Sequence, residues 1–132
     1  MVEADRHSQF LRGSLDMCLL ALLSQRPSHA YELSARLEQR GLDGVGYGTL
    51  YPLVTRLRRL GMLEQDVQPG DSGPPRKVYR PSDEGARALA AWAADWWASA
   101  SVVHDLLVDT GVLPVPAPAA PAPAPVAPGG AP

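Results

Sequence analysis

Apolar residues recur at helical spacing in four stretches of the chain. A short apolar–polar alternation stands between the third stretch and the fourth. The first helix follows Gly13-Ser14, with Leu15, Leu19, Leu22 and Leu23 on one face and Ser14 as a capping hydroxyl. Pro27 disfavours helical geometry at Arg26, so this helix is predicted to end near Gln25. The second starts at Ser28 or His29 and carries Tyr31, Leu33, Ala35 and Leu37 before Gly41 stops it. Ser28 is its expected cap, with Glu32 nearby, although the spacing is not that of a strict capping box. Four glycines between Gly41 and Gly48 mark a flexible turn. In the third helix Leu50, Leu53, Val54, Leu57 and Leu60 form a narrow apolar stripe. The opposite face holds Tyr51, Pro52, Thr55, Arg56, Arg58 and Arg59. Pro52 is expected near its start, Gly61 ends it, and the cap is open between Gly46, Gly48 and Thr49.

Met62–Val67 alternates as a strand, Pro69–Pro75 is turn material, and Lys77–Arg80 returns as the second strand of a hairpin. A last helix opens at Ser82, with Asp83 and Glu84 in its first turn, and runs to about Asp109 before Gly111. Leu89, Trp92, Trp96, Val103 and Leu106 line one side of it. A stripe on so long a helix needs a partner, and a second copy of the chain supplies one. The expected dimer interface is Leu15, Leu19, Leu89, Trp92, Trp96, Val103 and Leu106. The predicted fold is therefore mainly α with a small β-hairpin: a winged helix-turn-helix plus a long C-terminal dimerisation helix. Its expected divisions are a flexible N-terminus (1–10), a winged-helix DNA-binding domain (11–81), a dimerisation helix (82–110) and a tail (111–132).

Composition changes this picture at three points. The stretch from Leu113 to Pro132 is almost wholly Pro, Ala, Val and Gly. It cannot bury a core, and is expected to be a disordered or polyproline-like extension, either inert or a docking segment for a proline-binding partner. The single cysteine, Cys18, sits in an apolar run without basic neighbours and reads as a small hydrophobe rather than a redox centre. No signal-peptide pattern and no apolar run of membrane-spanning length occurs, so a cytoplasmic protein without a membrane partner is expected. The net charge of −2 argues against nucleic acid until its distribution is read. Six basic residues (Arg56, Arg58, Arg59, Arg76, Lys77, Arg80) face three acidic ones (Glu64, Asp66, Asp71) between Thr49 and Arg80, a local surplus of +3. From Pro81 to Asp109 only Arg87 opposes five acids, a local −4. Local charge is what meets phosphate.

The third helix meets the condition for entering a DNA major groove, one free face bearing groups that reach phosphates and base edges. Arg56 and Arg59 can fork onto guanine or clamp a phosphate. Thr49 and Tyr51 stand near its N-terminal end, where hydroxyls and the positive helix end favour phosphate. Arg76 and Lys77 follow the Gly/Pro turn and can reach the backbone or the minor groove. Arginines on a helix are also the ordinary solvated face, so the order of elements carries the reading. His7, His29, His104 and Cys18 are scattered without ligand spacing, so neither metal nor cofactor is expected. Gly44–Gly48 superficially resembles a glycine loop but lacks a preceding strand, and no nucleophile–base pattern stands out, so no enzymatic activity is expected. The other reading open at this point is a winged-helix dimer that binds protein with little or no DNA binding.

The stretches LRGSLDMCLLALLSQRPSHAYELSARLE (Leu11–Glu38), GTLYPLVTRLRRLGMLE (Gly48–Glu64) and GPPRKVYRPSDEGARAL (Gly73–Leu89) together resemble the PadR family of transcriptional regulators. The resemblance implies a winged-helix homodimer that binds double-stranded DNA, represses nearby genes and is released by a small molecule or cellular signal. It places His29 and Tyr31 beside the DNA backbone, Thr49, Tyr51, Thr55 and Arg56 on the recognition helix, and Arg76 and Lys77 on the wing. Ala30 stands where the family often has Gly, Pro81 where it has Leu and Ser82 where it has Thr; a polar cap is usual near Gly46. Counting from the family's wing anchor puts Trp96 at the position that stacks flat aromatic ligands in the multidrug-sensing subgroup. Trp92 and Trp96 thus have two readings, a planar-ligand pocket or bulk for a dimer core.

Overall fold

The computed structural model describes residues 2–70 and 72–114. Five helices and one hairpin follow in the order α1 (Val2–Arg12), α2 (Leu15–Gln25), α3 (Ala30–Gln39), α4 (Tyr47–Arg59), β1 (Leu63–Gln68), β2 (Arg76–Pro81) and α5 (Asp83–Asp109). The fold is mainly helical with a two-stranded wing. The N-terminal residues expected to be flexible instead form α1, a polar helix whose Leu11 reaches the core. Ser14 takes the N-cap position of α2 without a capping bond; its hydroxyl donates to the Phe10 carbonyl at 3.4 Å, back toward α1. From residue 115 on, the Pro/Ala-rich tail lies outside the described residues.

The core is built from leucines of three helices, closed by the hairpin. Leu19, Leu20, Leu23, Leu33, Leu37, Leu50, Leu57 and Val54 are almost wholly buried, and Leu63 and Tyr79 close the layer. This corrects the dimer assignment of Leu15 and Leu19. Both are buried inside the chain (4% and 0% exposed) because the apolar face of α2 packs toward α3, α4 and β2. Leu89 and Trp92 are half-buried against the same core.

The α4–β1 corner ends in a Schellman turn. Gly61 adopts φ +78°, its N–H bonds to the Arg58 carbonyl, and the Met62 N–H bonds to that of Leu57. Ser82 caps α5: its hydroxyl donates to the Gly61 carbonyl at 2.6 Å and accepts from the Gly85 N–H at 3.0 Å. Pro81 ends β2 opposite Leu63. The hairpin is antiparallel, running from Leu63↔Pro81 to Gln68↔Arg76, so Glu64 stands opposite Arg80.

The chain divides into two compact units, the first through Trp96 and the second from Trp97, with α5 running through the boundary. In the second unit α5 exposes Val102, Val103, Leu106 and Leu107, and ends before Gly111 at φ +77°. No helix of the described residues is long and apolar enough to cross a membrane.

Candidate nucleic-acid interface

Helix α4 begins earlier than its leucine stripe suggests. Gly46 is its N-cap, which puts Tyr47 in the first turn and Pro52 inside the helix rather than at its start. Proline there withholds the N–H that the Gly48 carbonyl would otherwise receive. No side-chain oxygen caps this end. Leu50, Val54 and Leu57 face inward, and the residues opposite them are all exposed. At 100° per residue the outward face is centred on Gly48, Thr55, Pro52 and Arg59. Thr49 and Arg56 lie on one flank of it, and Tyr47, Tyr51 and Arg58 on the other.

The second flank meets the wing. Tyr51, Thr55, Arg58, Arg59, Lys77 and Tyr79 line a cleft of about 390 Å³. It continues beside a groove of about 670 Å³, where α3 supplies Tyr31, α4 supplies Tyr47 and Tyr51, and β2 supplies Arg76, Lys77 and Tyr79. All four tyrosines of the chain therefore border one groove. Three form a ladder, with ring centroids 6.1 Å apart for Tyr31–Tyr47 and 5.4 Å for Tyr47–Tyr51. Tyr31 is 78% exposed, a position that no core demands. Burial pushes the Tyr79 phenol above its ordinary pKa; Tyr51 adds to the rise and the Arg58 guanidinium opposes it. That phenol therefore stays a neutral donor.

Arg56, Arg58, Arg59, Arg76 and Lys77 are exposed, and among the described residues none of them makes an ion pair. Arg80, counted in the local surplus, is drawn off: it holds Glu64 at 3.0 Å and also pairs with Asp66, two residues along the same strand face. These hydrogen bonds and charges raise its pKa.

His29 differs from the expected backbone contact. It is the N-cap residue of α3, and its Nδ1 lies 3.0 Å from the Lys77 carbonyl oxygen. A carbonyl only accepts, so Nδ1 carries the proton and donates it. Ser28, the expected cap, is instead buried and forms a backbone bridge with Tyr79. Of the residues that sequence reasoning singled out, Thr49, Tyr51, Thr55, Arg56, Arg59, Arg76 and Lys77 are all exposed. That reasoning missed Tyr47 and Arg58, although the four-residue spacing from Tyr47 to Tyr51 is a helical signal once Gly46 is taken as the cap. Among the described residues no group of three or more His, Cys, Asp or Glu side chains is placed to hold a metal ion.

Known proteins place this geometry. The model of the transcriptional regulator PadR-like family matches residues 19–91, more than half of the chain. A PadR family transcriptional regulator from Eggerthella lenta is 35% identical, with a TM-score of 0.73, over 80% of this chain and 92% of that one. A PadR-like transcriptional regulator from Bacillus cereus is 33% identical, with a TM-score of 0.69, over 75% and 96%. An uncharacterized protein from Lysinibacillus sphaericus is 27% identical over 104 residues, 77% of this chain and 94% of that one. On the matched domain, the winged-helix architecture and these relatives, the chain belongs to the PadR-like family of transcriptional regulators.

Proposed function

We propose that this regulator is a sequence-specific repressor that binds duplex DNA as a homodimer and is released by a small, planar ligand at the dimer interface. The observation that carries the DNA reading is the set of five exposed cations, without ion pairs among the described residues, on α4 and β2 around a tyrosine-lined groove. Exposed cations release counterions when they meet phosphate, and tyrosine hydroxyls add hydrogen bonds that fix register. His29, Tyr31, Tyr51, Lys77 and Arg76 border the groove, and Thr49, Thr55, Arg56 and Arg59 extend the same exposed surface along α4. The protein-binding alternative needs that basic surface buried or paired, and among the described residues it is neither. Chromosomal DNA as partner makes the cytoplasm the place of action.

Salt titration of binding to random duplex DNA tests the reading. Log affinity should fall linearly with log salt, with a slope near −0.9 per phosphate neutralised, so about −4.5 for each protomer whose five cations all engage. Affinity indifferent to salt, or no binding at low salt, refutes it. For the ligand, Trp96 is 42% exposed and offers an indole face, while Trp92 is half-buried against the core. Planar aromatic compounds should quench tryptophan fluorescence, and Trp96→Ala should abolish the quenching; quenching that survives the substitution removes Trp96 from the ligand site.

A further inference from the structure

Three hydrogen bonds tie the N-terminal end of α3 to the wing. The Tyr79 N–H donates to the Ser28 carbonyl at 2.9 Å, and the Ser28 N–H donates to the Tyr79 carbonyl at 3.3 Å. The His29 ring adds the third, from Nδ1 to the Lys77 carbonyl at 3.0 Å. The first two make Ser28 a one-residue third strand on the edge of β2. The third acts on the residue whose side chain lines both the groove and the cleft beside α4.

A two-stranded hairpin has little stability of its own, so the angle of a wing is set by what holds its base. Side chains alternate along β2, so Lys77 and Tyr79 share the face turned toward α4 while Arg76 stands on the other. A small rotation of β2 would carry the Lys77 ammonium out of line with Arg58 and Arg59. The His29 side chain is about a fifth exposed (22%), and its ring hydrogen-bonds to the protein's own backbone. Its Nε2 lies 3.7 Å from Glu32, which also meets Arg26 at 3.5 Å, so the ring is steadied from the α3 side as well.

The geometry assigns His29 as a positioning residue. It locks β2 so that Lys77 and the cations of α4 meet one DNA backbone together, and it does not itself contact phosphate. This inference rests on the DNA-binding reading, but the lock exists without DNA. Two substitutions separate its parts. His29→Asn keeps a side-chain N–H at the same number of bonds from the backbone, while His29→Ser keeps a favoured N-cap but cannot reach the carbonyl.

Hydrogen exchange of the free protein reads the lock directly at the Tyr79 amide. Protection there should fall about tenfold in His29→Ser and stay near the wild-type level in His29→Asn. In salt titration with random duplex DNA, His29→Ser should shallow the slope by about one unit, and adding Lys77→Ala to it should change nothing further. His29→Asn should keep the wild-type slope. If both variants shallow the slope while Tyr79 exchange is unchanged, His29 contacts phosphate and the assignment falls. It also falls if His29→Ser leaves the exchange unchanged, whatever the DNA result. A wild-type protein that ignores DNA overturns the DNA-binding reading, and with it the DNA half of this one, while Tyr79 exchange still decides the lock.

Discussion

Arg36 is a buried cation, 8% exposed, and the acceptors around it are neutral. Its guanidinium donates to the Leu22 carbonyl at 2.6 Å, the Arg26 carbonyl at 2.9 Å and the Ser28 hydroxyl at 3.3 Å. Those carbonyls are at the end of α2, where helical partners run out. Burial lowers the Arg36 pKa, with Arg26 acting in the same direction. Nothing in the sequence marked it, since an arginine between Leu33 and Leu37 reads as one more solvated charge. Arg36→Met should keep the volume, lose these bonds and cost about 3 kcal/mol in urea denaturation; a loss within the scatter of surface substitutions would mean that water replaces the guanidinium. Gly85 is equally silent in sequence. It stands so close to Met62 that a Cβ would overlap the Met62 carbonyl oxygen, a backbone atom that cannot turn away. Burial also pushes the Cys18 thiol above its ordinary pKa, with Asp16 adding to the rise, as burial does for Tyr79. Both groups hold their protons more tightly when folded. Their stabilisation is therefore complete below the ordinary thiol and phenol ranges and is lost as pH rises from those ranges through the raised folded values. Stability measured between pH 8 and pH 10.5 should fall, and Cys18→Ala with Tyr79→Phe should flatten that fall.

At the scale of elements, the leucine spacing of α2, α3 and α4 was enough to place each helix, because one buried face per helix is the strongest periodic signal a chain carries. The ends were less legible. Helix α4 starts at a glycine, which announces no cap, and so the sequence leaves its start open between Gly46, Gly48 and Thr49. The wing was readable as a hairpin, but its attachment to Ser28 was not, because a one-residue bridge leaves no pattern. The two flanks of α4 should behave differently in binding. Arg58 faces the wing beside Lys77 and Tyr79, so Arg58→Ala should weaken cognate and random duplexes alike and shallow the salt slope by about one unit. Arg56 lies on the flank away from that cleft, so Arg56→Ala should cost about 1–3 kcal/mol on the cognate sequence and much less on random DNA. Equal losses on both duplexes would remove Arg56 from base reading.

At the scale of the whole molecule the question is what α5 does with its apolar surface. The length and stripe of α5 are legible in the sequence, but the division of that stripe between the chain's own core and a partner is not. The structure draws that division within the first unit, where Leu89 and Trp92 are packed against the core while Leu15 and Leu19 have no surface left to offer. In the second unit Val103, Leu106 and Leu107 recur at i, i+3 and i+4, and each is more than a third exposed. Three aliphatic side chains on one helical face, exposed in water, forgo about 1.5–3 kcal/mol apiece when fully solvated. A second copy offers the same face to be covered, and two-fold pairing covers both at once. Val103→Glu with Leu106→Glu should therefore yield a folded monomer by sedimentation, with the circular dichroism of the winged-helix unit retained. A monomer presents one recognition helix to one half-site, so affinity for a palindromic operator should drop at least about a hundredfold while contact with a single half-site persists. A double variant that still sediments as a dimer would move the interface off this face of α5 and leave the exposed aliphatic residues without the role given them here.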